Sequence, residues 1–554
     1  MKSVYEMRAW VLGAARALIV CGLAAASALA AEPIAYTVTF PELKKHIAAI
    51  EAVIPTDGAD AVELMMPIWS PGFYRVEDYA GRVREFTAKG SGGAELEVEK
   101  PRPNRWRVKT GGAAKVVVRY RVVAEGRSVT TNWVGDDFAV LNGAPTFVTR
   151  ADGGPRPHEV ALELPPDWKQ SATALAPEPS GRPNHYRAAD YDELVDSPIL
   201  AGKLQIHPFE VEGSKHFLVD AGDLAGWDGA KGALEIEAIV RETRRFWGFL
   251  PFDHYDFLNV FRRGGGGLEH KGSTLLTASV PRASSPESHF GWLSFVSHEY
   301  FHAFNVKRLR PVGLGPFDYE KPPSTSSLWI SEGLTSYFGE LIVVRAGLGR
   351  AEDYLRTLSG HIDQLQNTPG RLVQTLEQSS LDIWATGYGG NRDTKVSYYV
   401  KGPVVGFLLD AHIRKLTRGK KSFDDAMRLA YERYSGARGF TADEFRGTTE
   451  EVAGADLKPW FQRALASTEE LDYTPALDYF GLRFAPDPPA ENPAAENPAN
   501  EAKAARASTS PTRKRGSVKP KKKWTLEIKP DATGDQKARF RDWLRLCPTE
   551  PTGP

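Results

Sequence analysis

The sequence predicts a multidomain protein: a β-rich, sandwich-like N-terminal domain, an α+β domain after it, and a disordered basic tail. Three observations carry this. Up to about residue 200, short runs alternate apolar and polar residues and are broken by frequent glycine turns. From about residue 200, strand-like runs give way to apolar stripes at helical spacing. After Phe484 the chain loses the apolar content that a core needs.

The first 30 residues read as a signal peptide. Lys2, Arg8 and Arg16 supply positive charge, Ala17 to Ala30 is an apolar Ala-rich run, and Ala28-Leu29-Ala30 is a small-x-small cleavage site. The run is shorter than the roughly twenty residues of a membrane span, so cleavage is favoured over anchoring. A lipoprotein site at Cys21 is disfavoured because bulky Val20 precedes it. The expected location is exported, periplasmic or secreted, with no transmembrane anchor after cleavage. Of the two cysteines, Cys21 leaves with the signal and Cys547 stays in the tail, so no internal disulfide is expected.

Residues 31–200 form the expected N-terminal domain. In Lys115 to Ala124, Lys115, Arg119 and Arg121 alternate with Val116, Val118, Tyr120 and Val122, close to the period of a half-buried strand. Tyr36 to Phe40 and Glu159 to Leu164 carry similar signals, and Ser91-Gly92-Gly93, Gly111-Gly112 and Asp152-Gly153-Gly154 mark turns. Trp69 to Tyr74 reads as an aromatic turn, with packing favoured over ligand contact.

Residues 201–484 form the second expected domain. Phe217 to Asp220 and Asp256 to Phe261 are strand candidates, and Leu234 to Trp247 has a helical apolar stripe. Further helices are expected over Ser294 to Asn305, Trp329 to Val344, 350 to 370, 401 to 416, 422 to 435 and 457 to 467. Residues 485–523 read as a disordered linker, rich in Pro, Ala, Glu and Asn and then strongly basic from Lys503 to Lys523. The basic run is read as a solvated spacer in preference to a contact for an anionic surface. In the short C-terminal segment 524–554, Trp524 to Leu546 holds enough Trp, Leu, Ile and Phe for a strand and a short helix that dock back.

Hydrophobic content of 42% and charged content of 25% over 554 residues are ordinary for a globular protein with sizeable cores. A formal net charge of zero gives no bias toward nucleic acid, and none is expected as a partner. Oligomeric state is not legible.

The chemistry concentrates in Ser297-His298-Glu299-Tyr300-Phe301-His302 and in Trp329-Ile330-Ser331-Glu332-Gly333. On a helix, His298 and His302 stand one turn apart on one face, a spacing that grips one metal ion. Glu332 offers a third ligand. Two His and one Glu leave a tetrahedral position open, as in catalytic zinc sites. One Zn2+ per chain is therefore expected. Glu299 points to one side of the ligand face, where it can take a proton from zinc-activated water. A donor for the oxyanion is also needed, and Tyr399 is the best candidate, with Tyr398 as the alternative.

These residues, with Gly266-Gly267-Leu268-Glu269-His270-Lys271, His298 to Pro311, Leu328 to Tyr337, Tyr399 to Gly402 and the turn Trp69 to Tyr74, resemble the glycyl aminopeptidase family of gluzincin zinc metallopeptidases, relatives of aminopeptidase N. The resemblance spans about residues 34 to 484. It implies a thermolysin-like catalytic domain, zinc on His298, His302 and Glu332, Glu299 as the base and Tyr399 as the transition-state donor. Glu269 matches the position that holds a substrate's free α-ammonium, and Gly266 and Gly267 let a backbone edge approach the peptide. Without the family match, a glycine hinge with Glu269 in an ordinary ion pair reads equally well.

The sequence departs from its relatives in two ways. The 29 residues between His302 and Glu332 exceed the gap in aminopeptidase N types. No PDZ domain is recognisable after Phe484, where members of the group often carry one.

The sequence thus points to a zinc aminopeptidase that removes small N-terminal residues, Gly or Ala, from peptides with a free N-terminus. The alternatives are an endopeptidase of the same fold or a non-catalytic peptide-binding protein on a peptidase scaffold.

Overall fold

A computed structural model describes residues 31–281, 285–388, 390–486 and 522–546. The segment read as a signal peptide, most of the expected linker, and Cys547 lie outside these residues.

The N-terminal region is built from three sheets. The largest has seven strands, ordered Ala176–Pro177, His185–Ala188, His158–Glu163, Ile34–Glu42, Ile47–Pro55, Lys115–Val123 and Val83–Gly90. Its alternation follows the sequence: Val116, Val118, Tyr120 and Val122 are buried, while Arg119 faces water. A four-stranded sheet containing Ala61–Met65 and Arg105–Lys109 supplies Leu64 and Trp106 to the same core as Ile50, Val118 and Tyr120. A third sheet carries Phe138–Leu141 and Ile199–Gly202 at its centre.

The second region starts with a five-stranded sheet, ordered Gln205–Val211, Ser214–Gly222, His254–Phe261, Ser273–Ala278 and Gly266–Glu269. The middle three strands are parallel, and Gly266–Glu269 is an antiparallel edge. Both faces are covered, so His254–Phe261 is buried along nearly its whole length, Asp256 and Asn259 included. Val219, Leu258, Val260 and Leu275 pack against Phe138, Val140 and Leu200 of the third sheet. Leu218, Phe257 and Leu276 turn to the other side. There they meet the helix Gly229–Trp247 through Ile236, Ile239 and Val240, and the helix Pro286–Phe301 through Leu293, Val296 and Tyr300. Gly229–Trp247 is capped by Asp228, whose side chain accepts from the Lys231 N–H, and it stops at left-handed Gly248.

The remaining helices include Thr335–Arg345, Ala351–Gln366, Tyr398–Leu416, Phe423–Tyr434 and Ala442–Ala453. Trp329–Leu334, expected to open a continuous helix, is instead a π-helical turn leading into Thr335–Arg345.

The long gap between His302 and Glu332 has a structural use. Its middle reaches into the N-terminal region, where Tyr319 joins the core and donates its hydroxyl to Asp192 at 2.7 Å. Glu320 accepts from Asn104 and Arg105, each at 2.9 Å, and Trp69 donates its indole N–H to the Asp318 carbonyl at 2.8 Å. The segment that separates the candidate ligands therefore also ties the two regions together.

The C-terminal segment docks on the helical region. Leu526–Ile528 pairs antiparallel with Leu482–Phe484, and the helix Gly534–Leu544 buries Phe540, Trp543 and Leu544. Trp543 stacks on Phe480 with ring centroids 4.3 Å apart and donates its indole N–H to Tyr337 Oη at 3.0 Å. Tyr337 lies on the helix that follows Glu332.

Candidate metal centre

The helix Pro286–Phe301 begins with Ser285 as its cap and Pro286 in its first turn. His302 is its C-cap and keeps right-handed helical dihedrals, so His298 and His302 remain one turn apart. Their Nε2 atoms lie 3.0 Å from each other, and Glu332 Oε2 lies 3.3 Å from His302 Nε2 and 3.8 Å from His298 Nε2.

The orientation of the rings is fixed from behind. His302 Nδ1 is 2.9 Å from the Asn305 carbonyl, which accepts its proton. His298 Nδ1 is 3.3 Å from Ser336 Oγ, while Ser336 Oγ donates to the Glu332 carbonyl at 3.0 Å. With a proton on each Nδ1, both Nε2 lone pairs converge on one point together with a carboxylate oxygen. Asn305 adds the cross-tie: its side-chain amide donates to the Ile330 carbonyl at 2.8 Å and to Thr335 Oγ1 at 2.9 Å, joining the His segment to the Glu332 turn.

This donor set fits a metal ion. Zinc bonds of about 2.0–2.1 Å in a tetrahedron put ligand atoms roughly 3.3 Å apart, and the three observed separations bracket that value. Glu332 Oε1 is buried and has no hydrogen-bond partner among the described residues. Burial opposes the charged form of Glu332, but the neighbouring His302 and His298 imidazoles outweigh it and hold the carboxyl below its usual range. Burial likewise opposes a charged His302, yet the carboxylates of Glu332 and Glu269 raise it above the usual imidazole range. The centre is organised to hold a cation.

Two further carboxylates stand beside it. Glu269 closes the edge strand and Glu299 sits on the helix, and both are almost fully buried, at 3% and 5% exposure. Oε1 of Glu269 and Oε2 of Glu299 have no hydrogen-bond partner among the described residues. Ligand atoms of Glu269, Glu299 and His302 lie within 4.8 Å of one another. Burial lifts both carboxyls above their ordinary range; the charge of His302 opposes the rise, while Glu332 adds to it for both and Glu269 adds to it for Glu299. Just past Glu269 the chain is anchored: Asp196 accepts from the Lys271 N–H at 2.8 Å, pairs with Lys307 at 2.5 Å, and lies 3.2 Å from His270 Nδ1.

Gly267 and Gly72 explain how the carboxylates fit. A Cβ on Gly267 would fall 2.0 Å from Glu299 Oε1, so only glycine lets the edge strand lie against that carboxylate. Gly72 has φ +93°, and a Cβ there would fall 2.6 Å from Glu269 Oε1. Gly266 lines the same cavity, of about 520 Å³, as His298, Glu299, His302 and Glu332.

Tyr399 also lines this cavity, with its ring 6.4 Å from that of His298. Tyr398 does not line it; its hydroxyl is buried elsewhere without a partner among the described residues. The turn Trp69 to Tyr74, expected to pack in preference to contacting a ligand, packs and also walls the cavity. Trp69 is buried, while Gly72 and Phe73 form part of the cavity wall. Tyr388 was not found from sequence. Its hydroxyl accepts the Tyr74 N–H at 2.9 Å, and its ring lies 5.2 Å from Phe73 and 6.2 Å from Tyr399. No local signal marks it, since the contact joins residues more than 300 positions apart.

Residues 35–203 match the Peptidase M61 N-terminal domain, and residues 291–405 match the M61 glycyl aminopeptidase. Among curated proteins, none matches the chain. Among solved structures, an aminopeptidase N family protein from Idiomarina loihiensis is 28% identical, with a TM-score of 0.77 over 83% of this chain and 80% of that one. An M1 zinc metallopeptidase from Deinococcus radiodurans is 13% identical, with a TM-score of 0.49 over 80% of this chain and 95% of that one. Native LTA4 hydrolase from yeast is also 13% identical, with a TM-score of 0.48 over 80% and 68%. The second match takes in both histidines, Glu332 and Tyr399, and the first takes in the turn that walls their cavity: the chain belongs to the M61 glycyl aminopeptidase family of zinc metallopeptidases.

Proposed function

We propose that the protein is an exported aminopeptidase that removes N-terminal Gly or Ala from peptides, with one zinc per chain on His298, His302 and Glu332. The observation that carries the exopeptidase reading is Glu269. A buried carboxylate with an unpartnered oxygen, held beside Glu299 at the end of an edge strand, is a counter-charge for an α-ammonium. The preference for a small first residue rests on the family.

Zinc bound there supplies Lewis acidity toward the scissile carbonyl and brings a water's pKa toward neutrality. Glu299 offers its free oxygen as general base to the attacking water and then returns the proton to the leaving amine. Tyr399, on the cavity wall beside His298, donates its phenol to the oxyanion. Gly266–Glu269 is hydrogen-bonded on one side only, so a peptide can add to it as a further strand. With its ammonium on Glu269, that peptide runs antiparallel, toward Gly266.

A second reading has its own observation. A cavity of about 670 Å³ lies on the far side of Glu269, lined by Trp69, Tyr74, Val306 and Phe317 among others. An endopeptidase would use such space for residues before the scissile bond. Glu269→Ala decides between the readings. The aminopeptidase reading predicts a large rise in KM for peptides with free N-termini; undiminished cleavage of N-acetylated peptides by the variant favours the endopeptidase. Export is tested by mass spectrometry, with a mature N-terminus at Ala31 expected and an intact Met1 contradicting it. No helix among the described residues is long and apolar enough to cross a membrane.

A further inference from the structure

A separate cavity of about 590 Å³ opens where the parallel strands Ser214–Gly222, His254–Phe261 and Ser273–Ala278 end, against the N-terminal region. Carboxyl ends of parallel strands are a favoured place for ligands. Arg127, Arg262, Arg263 and Trp133 line it. Among the described residues, none of the three arginines pairs with a carboxylate. Arg262 donates to backbone only, at 3.5 Å to Gly126 and 3.2 Å to Arg127, and its Nε is buried without a partner. The Trp133 indole N–H is also buried and unpartnered, and the Arg262 guanidinium lies 5.6 Å from that ring's centre. Two acids reach the cavity. Asp137 is matched to Lys203 at 2.7 Å, and Asp223 accepts the Ala225 N–H at 3.3 Å. Burial, and then the charge of Arg127, pull Arg262 down to about 10, so an anion would relieve it.

The sheet register connects this cavity to the metal centre. Gly266 pairs with Thr277 and Glu269 with Thr274, so Gly266 lies at the cavity's end of the sheet. The Arg262 N–H donates to the Ala278 carbonyl at 3.0 Å at that same end. A peptide that runs from Glu269 past Gly266 leaves the edge strand there. Four residues of strand span about 10–13 Å, and the three strand spacings from the added peptide to His254–Phe261, which Arg262 follows, add roughly 14 Å, a distance covered by about seven or eight extended residues.

We propose that Arg127, Arg262 and Arg263 form a carboxylate subsite that receives the C-terminus of peptides about seven or eight residues long whose N-terminus lies at Glu269. This rests on the aminopeptidase reading above. The subsite favours peptides just long enough to reach it, since a shorter chain cannot span the distance and a longer one must bulge to present both ends at this separation.

The test compares heptapeptides that begin with glycine and end in either a free carboxylate or an amide. Equilibrium binding is read by calorimetry on the Glu299→Gln protein and KM on the parent enzyme. The expected result is about tenfold tighter binding and lower KM for the acid, as for one charge-assisted contact. This difference should disappear in a tripeptide pair. It should also be abolished by Arg127→Gln with Arg263→Gln, two exposed positions whose replacement should leave the melting temperature unchanged. Equal binding of acid and amide at every length from three to eight residues overturns the subsite, as does a preference that survives the double replacement. Because binding is read without turnover, a failure of peptide hydrolysis on any substrate counts against the aminopeptidase reading and leaves the acid-over-amide comparison to decide the subsite.

Discussion

Gly267→Ala perturbs the centre through one methyl group. The new Cβ would lie 2.0 Å from Glu299 Oε1 and 2.1 Å from its Cδ, where ordinary contact begins near 3.4 Å. The carboxylate or the edge strand must therefore retreat by about 1.4 Å. Glu299 is buried against the helix that carries it, and the strand is held by its register with Ser273–Ala278, so neither moves freely. A general base misplaced by about 1 Å costs on the order of 100-fold in rate. The three atoms nearest the new methyl group all belong to Glu299, which is not a metal ligand, so metal should stay. The assay is kcat on a glycine p-nitroanilide substrate, with zinc content by atomic absorption and a thermal melt as controls. The expected outcome is a fall in kcat of about 100-fold with close to one zinc per chain. Near-parental kcat in a folded, zinc-loaded variant would refute the placement of Glu299 against the edge strand.

Three further predictions follow from the same geometry. Glu299→Gln should keep zinc and lose nearly all turnover, whereas Glu332→Ala should lose the metal too, both read by metal analysis beside a rate assay. Trp543→Ala should cost about 3–5 kcal/mol in urea unfolding, because a fully buried ring and its hydrogen bond to Tyr337 are removed together. His158 is 2% exposed beside Tyr36, and burial pulls it down to about 4. It is neutral in the fold, and the unfolded chain binds a proton below about pH 6.5, so its contribution is complete above that pH and is lost as pH falls toward 4. The loss is on the order of 3 kcal/mol. His158→Gln should flatten stability across that window in urea melts, and an unchanged pH profile would refute the assignment.

The sequence and the structure agree where the physics is local. The one-turn spacing of His298 and His302 is a property of the helix, and the alternation in Lys115–Val123 is a property of the strand; both are readable residue by residue. Trp524 to Leu546 was legible for the same reason, as a charged segment with enough Trp, Leu, Ile and Phe to need a surface to dock on. What was not legible depends on chain segments meeting. Tyr388 reaches the centre through a hydrogen bond to Tyr74, and Gly72 is required both by its φ of +93° and by the close approach of Glu269. The use of the long gap before Glu332 was hidden likewise, since Tyr319 looks like any loop tyrosine until it enters the N-terminal core. The π-helical turn at Trp329–Leu334 carries no sequence signal that separates it from an ordinary helix start.

The most direct test is digestion of a peptide library with free and acetylated N-termini, read by mass spectrometry over time. The account predicts stepwise loss of single N-terminal residues, Gly and Ala first, from free peptides only. Internal cleavage of the acetylated peptides at comparable rates would contradict it.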